Sequence, residues 1–419
     1  MRNIVKSLFS LNPTSITFCT TLLVVILFLI GIPFLDIIEL KTYDLRFLSR
    51  GAIKPSSHVV MAVIDEKSLD TEGRWPWPRS RIADLVNALS EDGAKVIGFD
   101  VGFLEPDENS TLKFINQLNH RIAALHIKNN DLARFISDSK EKADNDLALA
   151  KAIKNSTAAI VLGYFLHMSD DYQIDQEEID RQIGQLSSSK YSLIIYEDKD
   201  TEISPFYTAY APEGNLDIFT RSTNYSGYFN MFPDQDGVVR WMPFIIRCGQ
   251  DMDIFPPLSV QCAWHFLDRP QLMVKVAGYG VEGIQMGDRF IPTDETGKML
   301  INFAGPPKTF PHFSISDILK GNLPKGTFKD KIVLVGATAV GLYDLRITPF
   351  SPVYPGLEVH ATVIDNILKQ NFLNKPTWAK VFDLLAIILL CVLVGIFVPR
   401  LSAVMGLLFA LGLFMVHLI

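Results

Sequence analysis

Three stretches of the chain are apolar almost without interruption. Residues 15–35, SITFCTTLLVVILFLIGIPFL, carry no charge, and AKVFDLLAIILLCVLVGIFV (379–398) and LSAVMGLLFALGLFMVHLI (401–419) are nearly as uniform. A bilayer core needs roughly 20 such residues in a helix, so the pattern predicts three membrane helices. Pro399 and Arg400 separate the last two and leave room only for a tight turn. The first run is long for a signal peptide, and no small-x-small site follows it before Asp36, which points to an uncleaved helix.

Between these runs the pattern changes. HVVMAVID (58–65), AKVIGFDVGF (94–103), AAIVLGYFL (158–166) and KIVLVGAT (331–338) are short apolar runs of the kind that strands buried on both faces require. After the first of them Ser80 can cap a helix in which Ile82, Leu85, Val86 and Leu89 recur on one face, ending at Gly93. Further helices are predicted at 258–267, 314–321 and 357–370, and in the polar stretch 107–157. Residues 226–248 read as strands paired around a turn at Pro233–Gly237. A second meander is expected over 281–303, turning at Gly287–Asp288 and Asp294–Gly297. The polar stretch 168–205 reads as a solvated excursion. Together these predict an α/β fold: a mainly parallel buried sheet flanked by helices, with antiparallel meanders.

The expected organisation is a leader at 1–15, membrane helices at 16–35, 379–398 and 401–419, and one folded domain at 36–378. Arg2, Lys6 and Arg400 place the N-terminus and the last connection in the cytoplasm, which leaves the domain outside it. Three crossings would then leave the C-terminus outside. The sequence is therefore expected to be part of a longer chain or an input module without its own output. A hydrophobic content of 48% suits a membrane protein, and the chain's net charge of −7, with the domain outside the cytoplasm, argues against nucleic acid as a partner. Cys19 and Cys391 fall in membrane runs. Cys248 and Cys262 fall in a strand and a helix, where two separate buried thiols are expected over a disulfide.

Several landmarks occur in one order: YDLRF (43–47), VIDEKSL (63–69), WPWPR (75–79), GFDVGFLEPD (98–107), PDQDGVVRWMP (233–243), LINFAGPP (300–307), KIVLVGAT (331–338) and DLRITPFSPVYPGLEVHATVIDNIL (344–368). Over residues 43–370 the chain resembles the CHASE2 extracellular sensor domain of bacterial signalling proteins. The resemblance implies a sensor bracketed by one helix before and usually three after, leading to a cytoplasmic class III adenylate or guanylate cyclase, histidine kinase or serine/threonine kinase. A cyclase is the companion it implies most often. Only two later helices and no effector are visible here. It also implies an inner-membrane receptor that acts as a homodimer and couples an extracytoplasmic cue to an effector in cis or in trans.

Ligands in open α/β sheets gather beyond the carboxyl ends of the strands. Asp65, Asp100, Asp344 and Arg346 fall there, and Trp75, Trp77 and Arg79 of the stretch GRWPWPRSR (73–81) adjoin the same rim. These seven read in two ways. One is a binding pocket with aromatic walls, carboxylates and arginines. The other is a structural corner, with Arg79 or Arg346 paired to Asp65 or Asp100 and the tryptophans pinning the loop. PDQDG (233–237) begins like a calcium loop but lacks the distal Glu, so a polar turn is expected. His360 and Glu358 point to different sides of their helix, and His360 is expected to hydrogen-bond near the helix start. No phosphate-binding glycine loop, zinc-protease or serine-hydrolase motif occurs. The visible residues name no cofactor, metal or catalytic group, and the rival reading is a membrane-anchored extracytoplasmic enzyme or carrier built on Asp65, Asp100 and Asp344.

Overall fold

Every residue of the strand Val59–Ile64 is buried, as a run with no polar position demands when helices cover both sides of a sheet. The strand lies near the centre of the fold in a computed structural model that describes residues 12–171, 173–197, 206–250, 252–339, 341–342, 344–374 and 378–418. The chain divides into two units, Arg46–Asn374 and the pair of end segments Met1–Leu45 and Lys375–Ile419.

The larger unit is built on seven strands: β1 (Val59–Ile64), β2 (Val96–Phe99), β3 (Ala159–His167), β4 (Ala211–Glu213), β5 (Ser226–Tyr228), β6 (His312–Ser314) and β7 (Ile332–Ala337). Their order is β6-β1-β7-β2-β3-β4, with β5 also on β3. All neighbours run parallel except β3 and β4. The parallel, doubly covered sheet matches the expected α/β class. One detail differs: β7, from near the end of the domain, lies between β1 and β2, which the sequence order alone suggests as neighbours.

Strand alternation sorts the sheet into two faces. Val60, Ala62 and Ile64 of β1, with Ile97 and Phe99 of β2, face the main core. That core is filled by α1 (Arg79–Glu91) and α2 (Asn145–Asn155). The opposite face is covered by α3 (Leu258–Phe266), which packs on β2 and β3, and by α4 (Gly356–Lys369), which packs on β1 and β7. The α3 contact is close because two strand positions lack side chains. A Cβ on Gly98 would stand 2.5 Å from Cys262 Sγ, and one on Gly227 would stand 2.6 Å from the Leu258 backbone. Cys262 and Cys248 are both buried and free, and burial pushes the Cys248 thiol up to about 11.

The expected meander at 226–248 is not one sheet. Ser226–Tyr228 extends the parallel sheet, Trp241–Pro243 pairs with Lys298–Leu300, and Ile246–Cys248 pairs with Asp253–Phe255. The turn between them is held by a buried cation. Arg240, 1% exposed, donates to Asp234 Oδ2 at 2.9 Å and to both oxygens of Asp236 at 2.8 Å. The carboxylates that open like a calcium loop thus serve an arginine six and four residues on. The hairpin at Gly287–Asp288 is present, joining Gly280–Met286 to Arg289–Pro292, and Leu272–Ala277 adds a strand that the apolar pattern does not announce. Within 168–205 the described residues include the helix Gln176–Leu186 and the strand Leu193–Tyr196; residues 172 and 198–205 lie outside those described.

Among the described residues of the smaller unit, two helices are long and apolar enough to cross a bilayer, Pro13–Ile30 and Val381–Arg400. They pack together, with Gly395 against Thr17, the close approach that small residues allow between apolar helices. The third apolar helix, Ala403–Leu418, has 16 residues, shorter than the other two. The helix Pro33–Arg50 follows the first span, and the division between the units falls within it.

Candidate functional site

The seven rim residues do not share one place. The period-two alternation of the sheet divides them, and local hydrogen bonding finishes the sorting.

Asp65 ends β1 and caps the helix Glu66–Glu72. Its Oδ1 accepts from Ser68 N at 2.9 Å, Ser68 Oγ at 2.7 Å and Ser314 Oγ at 2.8 Å. Ser316 joins the same buried knot through Ser314, 3.0 Å away. An Asp directly before a helical stretch is a signal for a cap; Ser314 and Ser316 carry no comparable signal, because only the β1–β6 pairing brings them near.

Trp75, Trp77 and Arg79 lie on the α1 face. The Trp77 ring is 2% exposed, its Nε1 donates to Gly73 O at 2.8 Å, and Trp75 meets it edge to face at 5.4 Å. Arg79 does not pair with Asp65 or Asp100. Its backbone N–H donates to Asp107 Oδ2 at 3.0 Å, its Nε lies 3.9 Å from Asp146 Oδ1, and its guanidinium stands 4.8 Å over Phe103. Burial lowers the Arg79 pKa and raises that of Asp146. Asp107 and Asp146 escape a reading of strand ends because they belong to the helix connection that follows β2.

Asp100, Asp344 and Arg346 gather on the other face, and His360 joins them. Asp100 directly follows β2 and its N–H donates to Val335 O at 2.8 Å, so the sheet ladder positions it. Gly336 makes room: a Cβ there would stand 3.0 Å from Leu357 of α4 and 3.4 Å from Asp100 Cβ. His360, on the first turns of α4, is 0% exposed, and its Nε2 lies 4.0 Å from Asp100 Oδ1. That separation is beyond hydrogen-bond reach, and neither ring nitrogen has a hydrogen-bond partner among the described residues. The expected hydrogen-bonding role of His360 is therefore corrected. Its helix neighbour Glu358 makes such bonds instead, accepting from Lys308 N at 2.9 Å and Phe310 N at 3.3 Å.

Arg346 Nε donates to Asp344 Oδ2 at 2.8 Å, and its Nη2 reaches the same oxygen. This ion pair borders Asp100 and His360. Burial, then the charge of Asp344, raise Asp100 to about 8, while Arg346 opposes them. Burial, then Arg346, push His360 down to about 3. Both groups are thus neutral near pH 7. Chemically the arrangement is a pair of titratable side chains held uncharged where sheet, helix and an exposed ion pair meet. A charge on the imidazole would have no hydrogen-bonding partner among the described residues.

The two shifts have opposite signs in stability. A raised carboxyl stabilises fully below about 3.9 and loses that contribution as pH climbs to about 8. A lowered imidazole stabilises above about 6.5 and loses its contribution as pH falls towards about 3. Between about 4 and 6.5 the slopes oppose each other, and above 6.5 only Asp100 acts. The wild type is expected to lose about 2 kcal/mol between pH 6.5 and 8, at about 1.4 kcal/mol per unit. Asp100→Asn should remove that fall, and urea unfolding of both proteins across the window checks it; parallel profiles would contradict it.

A metal centre built on Asp65, Asp100 and Asp344 finds no support in this geometry. Asp65 is committed to the serine knot, and among the described residues no group of three or more His, Cys, Asp or Glu is placed to hold an ion.

Comparison with known proteins adds the family. The model of the CHASE2 domain matches residues 19–397. No curated protein and no solved structure matches the chain. The match takes in nearly the whole chain, from the first apolar helix through the α/β unit to the second. This chain belongs to the CHASE2 family, the extracellular sensor domains of membrane signalling proteins.

Proposed function

We propose that this chain is the input module of a transmembrane receptor in a bacterial inner membrane. The α/β unit lies outside the cytoplasm and meets an extracytoplasmic cue. Its membrane helices carry the response inward to a class III adenylate or guanylate cyclase, in cis or in trans, acting as a dimer. The visible residues perform no catalysis. The observation that carries this reading is the extent of the family match, which runs through both long apolar helices as well as the domain between them. Two features fit a relay. The helix α4 covers the central strands β1 and β7, and residues 370–378 alone separate it from the next apolar helix. The uncharged Asp100–His360 pair lies between α4 and the sheet, where a shift of α4 would change its surroundings. Such coupling requires the cue to bind two arrangements of the domain unequally.

Reporters test the topology first. A phosphatase that is active only outside the cytoplasm, fused near residue 200, is expected to be active; cytoplasmic activity of a reporter there overturns the reading. The output is tested by joining the chain, followed by one further membrane helix that returns it to the cytoplasm, to a class III cyclase catalytic domain in a cyclase-deficient bacterium. Asp100→Asn and His360→Phe are expected to change cyclic-nucleotide production at unchanged protein level. Production that ignores both variants, and follows only the catalytic domain, removes the pair from the relay.

A further inference from the structure

The helix Ser110–Ala124 has no buried residue, although it is strongly apolar on one side. Phe114 and Leu125 are 64% and 66% exposed, and Leu118 between them is exposed as well. Spacings of four and seven place all three on one stripe. A shallow groove runs along it, edged by Gln117, His120 and Arg121. Ile127, just beyond the helix end, continues the exposed apolar surface. The adjoining arc of Leu112, Ile115 and Ile122 is half-buried, and the helix packs on its neighbour Asn130–Ala143. The stripe itself therefore lies outside that packing.

Charge says what covers it. From Asn109 to Asn130 the chain has no acidic residue, while Lys113, Arg121 and Lys128 supply positive charge, in a protein whose net charge is −7. Lys113 reaches the exposed Glu108 at 3.6 Å; Arg121 and Lys128 have no ion pair among the described residues. We propose that the stripe Phe114–Leu118–Leu125, flanked by Arg121 and Lys128, docks this domain on the surface of an anionic lipid bilayer. An amphipathic helix with Phe and Leu on one side and Lys and Arg beside them sinks its apolar side to the level of the headgroups. The long basic stems then reach the phosphates. A second copy of the chain suits the stripe less well. A two-fold contact through this stripe would set Arg121 beside its own equivalent, with no carboxylate between them.

The test uses the full chain reconstituted in vesicles with brominated acyl chains, comparing a Phe114→Trp variant with wild type to subtract the native tryptophans. Vesicles of phosphatidylcholine alone are set against vesicles containing a third phosphatidylglycerol. The introduced indole is expected to be quenched severalfold more in the anionic vesicles. The excess should fall with added salt and with Arg121→Glu combined with Lys128→Glu. These are exposed positions, and an unchanged urea midpoint verifies the fold. Three results would overturn the proposal. One is no quenching beyond wild type in either vesicle. Another is equal quenching in both. The third is a signal that disappears on diluting the protein within the bilayer, which would assign the stripe to a second copy.

Discussion

Asp236→Ala is expected to destabilise the larger unit by about 3–5 kcal/mol, the usual cost of removing one partner from a buried ion pair. Asp236 holds Arg240 through both carboxylate oxygens, and Arg240 is almost wholly enclosed. Without that carboxylate the guanidinium still has Asp234 Oδ2 at 2.9 Å, on a side chain that is itself more exposed. Asp234→Ala should therefore cost less. The measurement is urea unfolding of the detergent-solubilised chain followed by tryptophan fluorescence, with Trp241 next in sequence to the perturbed arginine. A loss below about 1 kcal/mol for Asp236→Ala would contradict the buried-pair account. Millimolar calcium is expected to leave the wild-type midpoint unchanged, because the turn's two carboxylates are already engaged.

Trp77→Ala should cost a similar amount, about 3–5 kcal/mol, for a different reason. The substitution opens a cavity in the core that α1 makes with β1 and β2, and it frees the loop carbonyl of Gly73. It also removes the edge-to-face partner of Trp75, an arrangement that contributes about 0.5–1.5 kcal/mol beyond area. Trp77→Phe keeps most of the buried surface and loses the indole N–H, so it should cost far less. Trp75 is half-buried, and its replacement is expected to fall between the two. These substitutions separate the two readings of WPWPR. Thermal unfolding that shifts while the signalling response survives in the folded fraction assigns the stretch to the corner. A lost response at unchanged stability, most cleanly with Trp75 and Arg79 replaced together, would return it to a sensing rim.

The landmarks differ in how far they could be read from the chain. The strands at 59–64, 96–99, 159–167 and 332–337 were legible because burial on both faces leaves no polar position, and α1, α3 and α4 because their apolar residues recur on one side. The paired strands expected at 226–248 were misplaced: three-residue strands carry too little alternation to name their partners, and Ser226–Tyr228 and Trp241–Pro243 found partners distant in sequence while Ile246–Cys248 paired with the strand that follows it. Asp100, Asp344 and Arg346 were singled out as rim residues, yet His360, which completes their group, was read only against its own helix. Its role depends on α4 crossing β7, with Gly336 leaving space at the crossing. One of the two readings paired Arg79 or Arg346 with a strand-end carboxylate; Arg79 meets helix-connection carboxylates instead.

Hydrophobic periodicity by itself determined the apolar helices at the two ends and the doubly covered parallel strands, and the ordered landmark residues carried the resemblance to the family, since each is a property of residues near one another in the chain. Tertiary structure alone decided that β7 separates β1 from β2, that Asp65 meets Ser314, and that Asp100 faces His360. Those pairings join residues that stand far apart in sequence, and a side chain's neighbours across such distances follow from strand order and from which face of the sheet it occupies. A local pattern encodes that a strand is buried on both sides; it does not encode which helix covers which side.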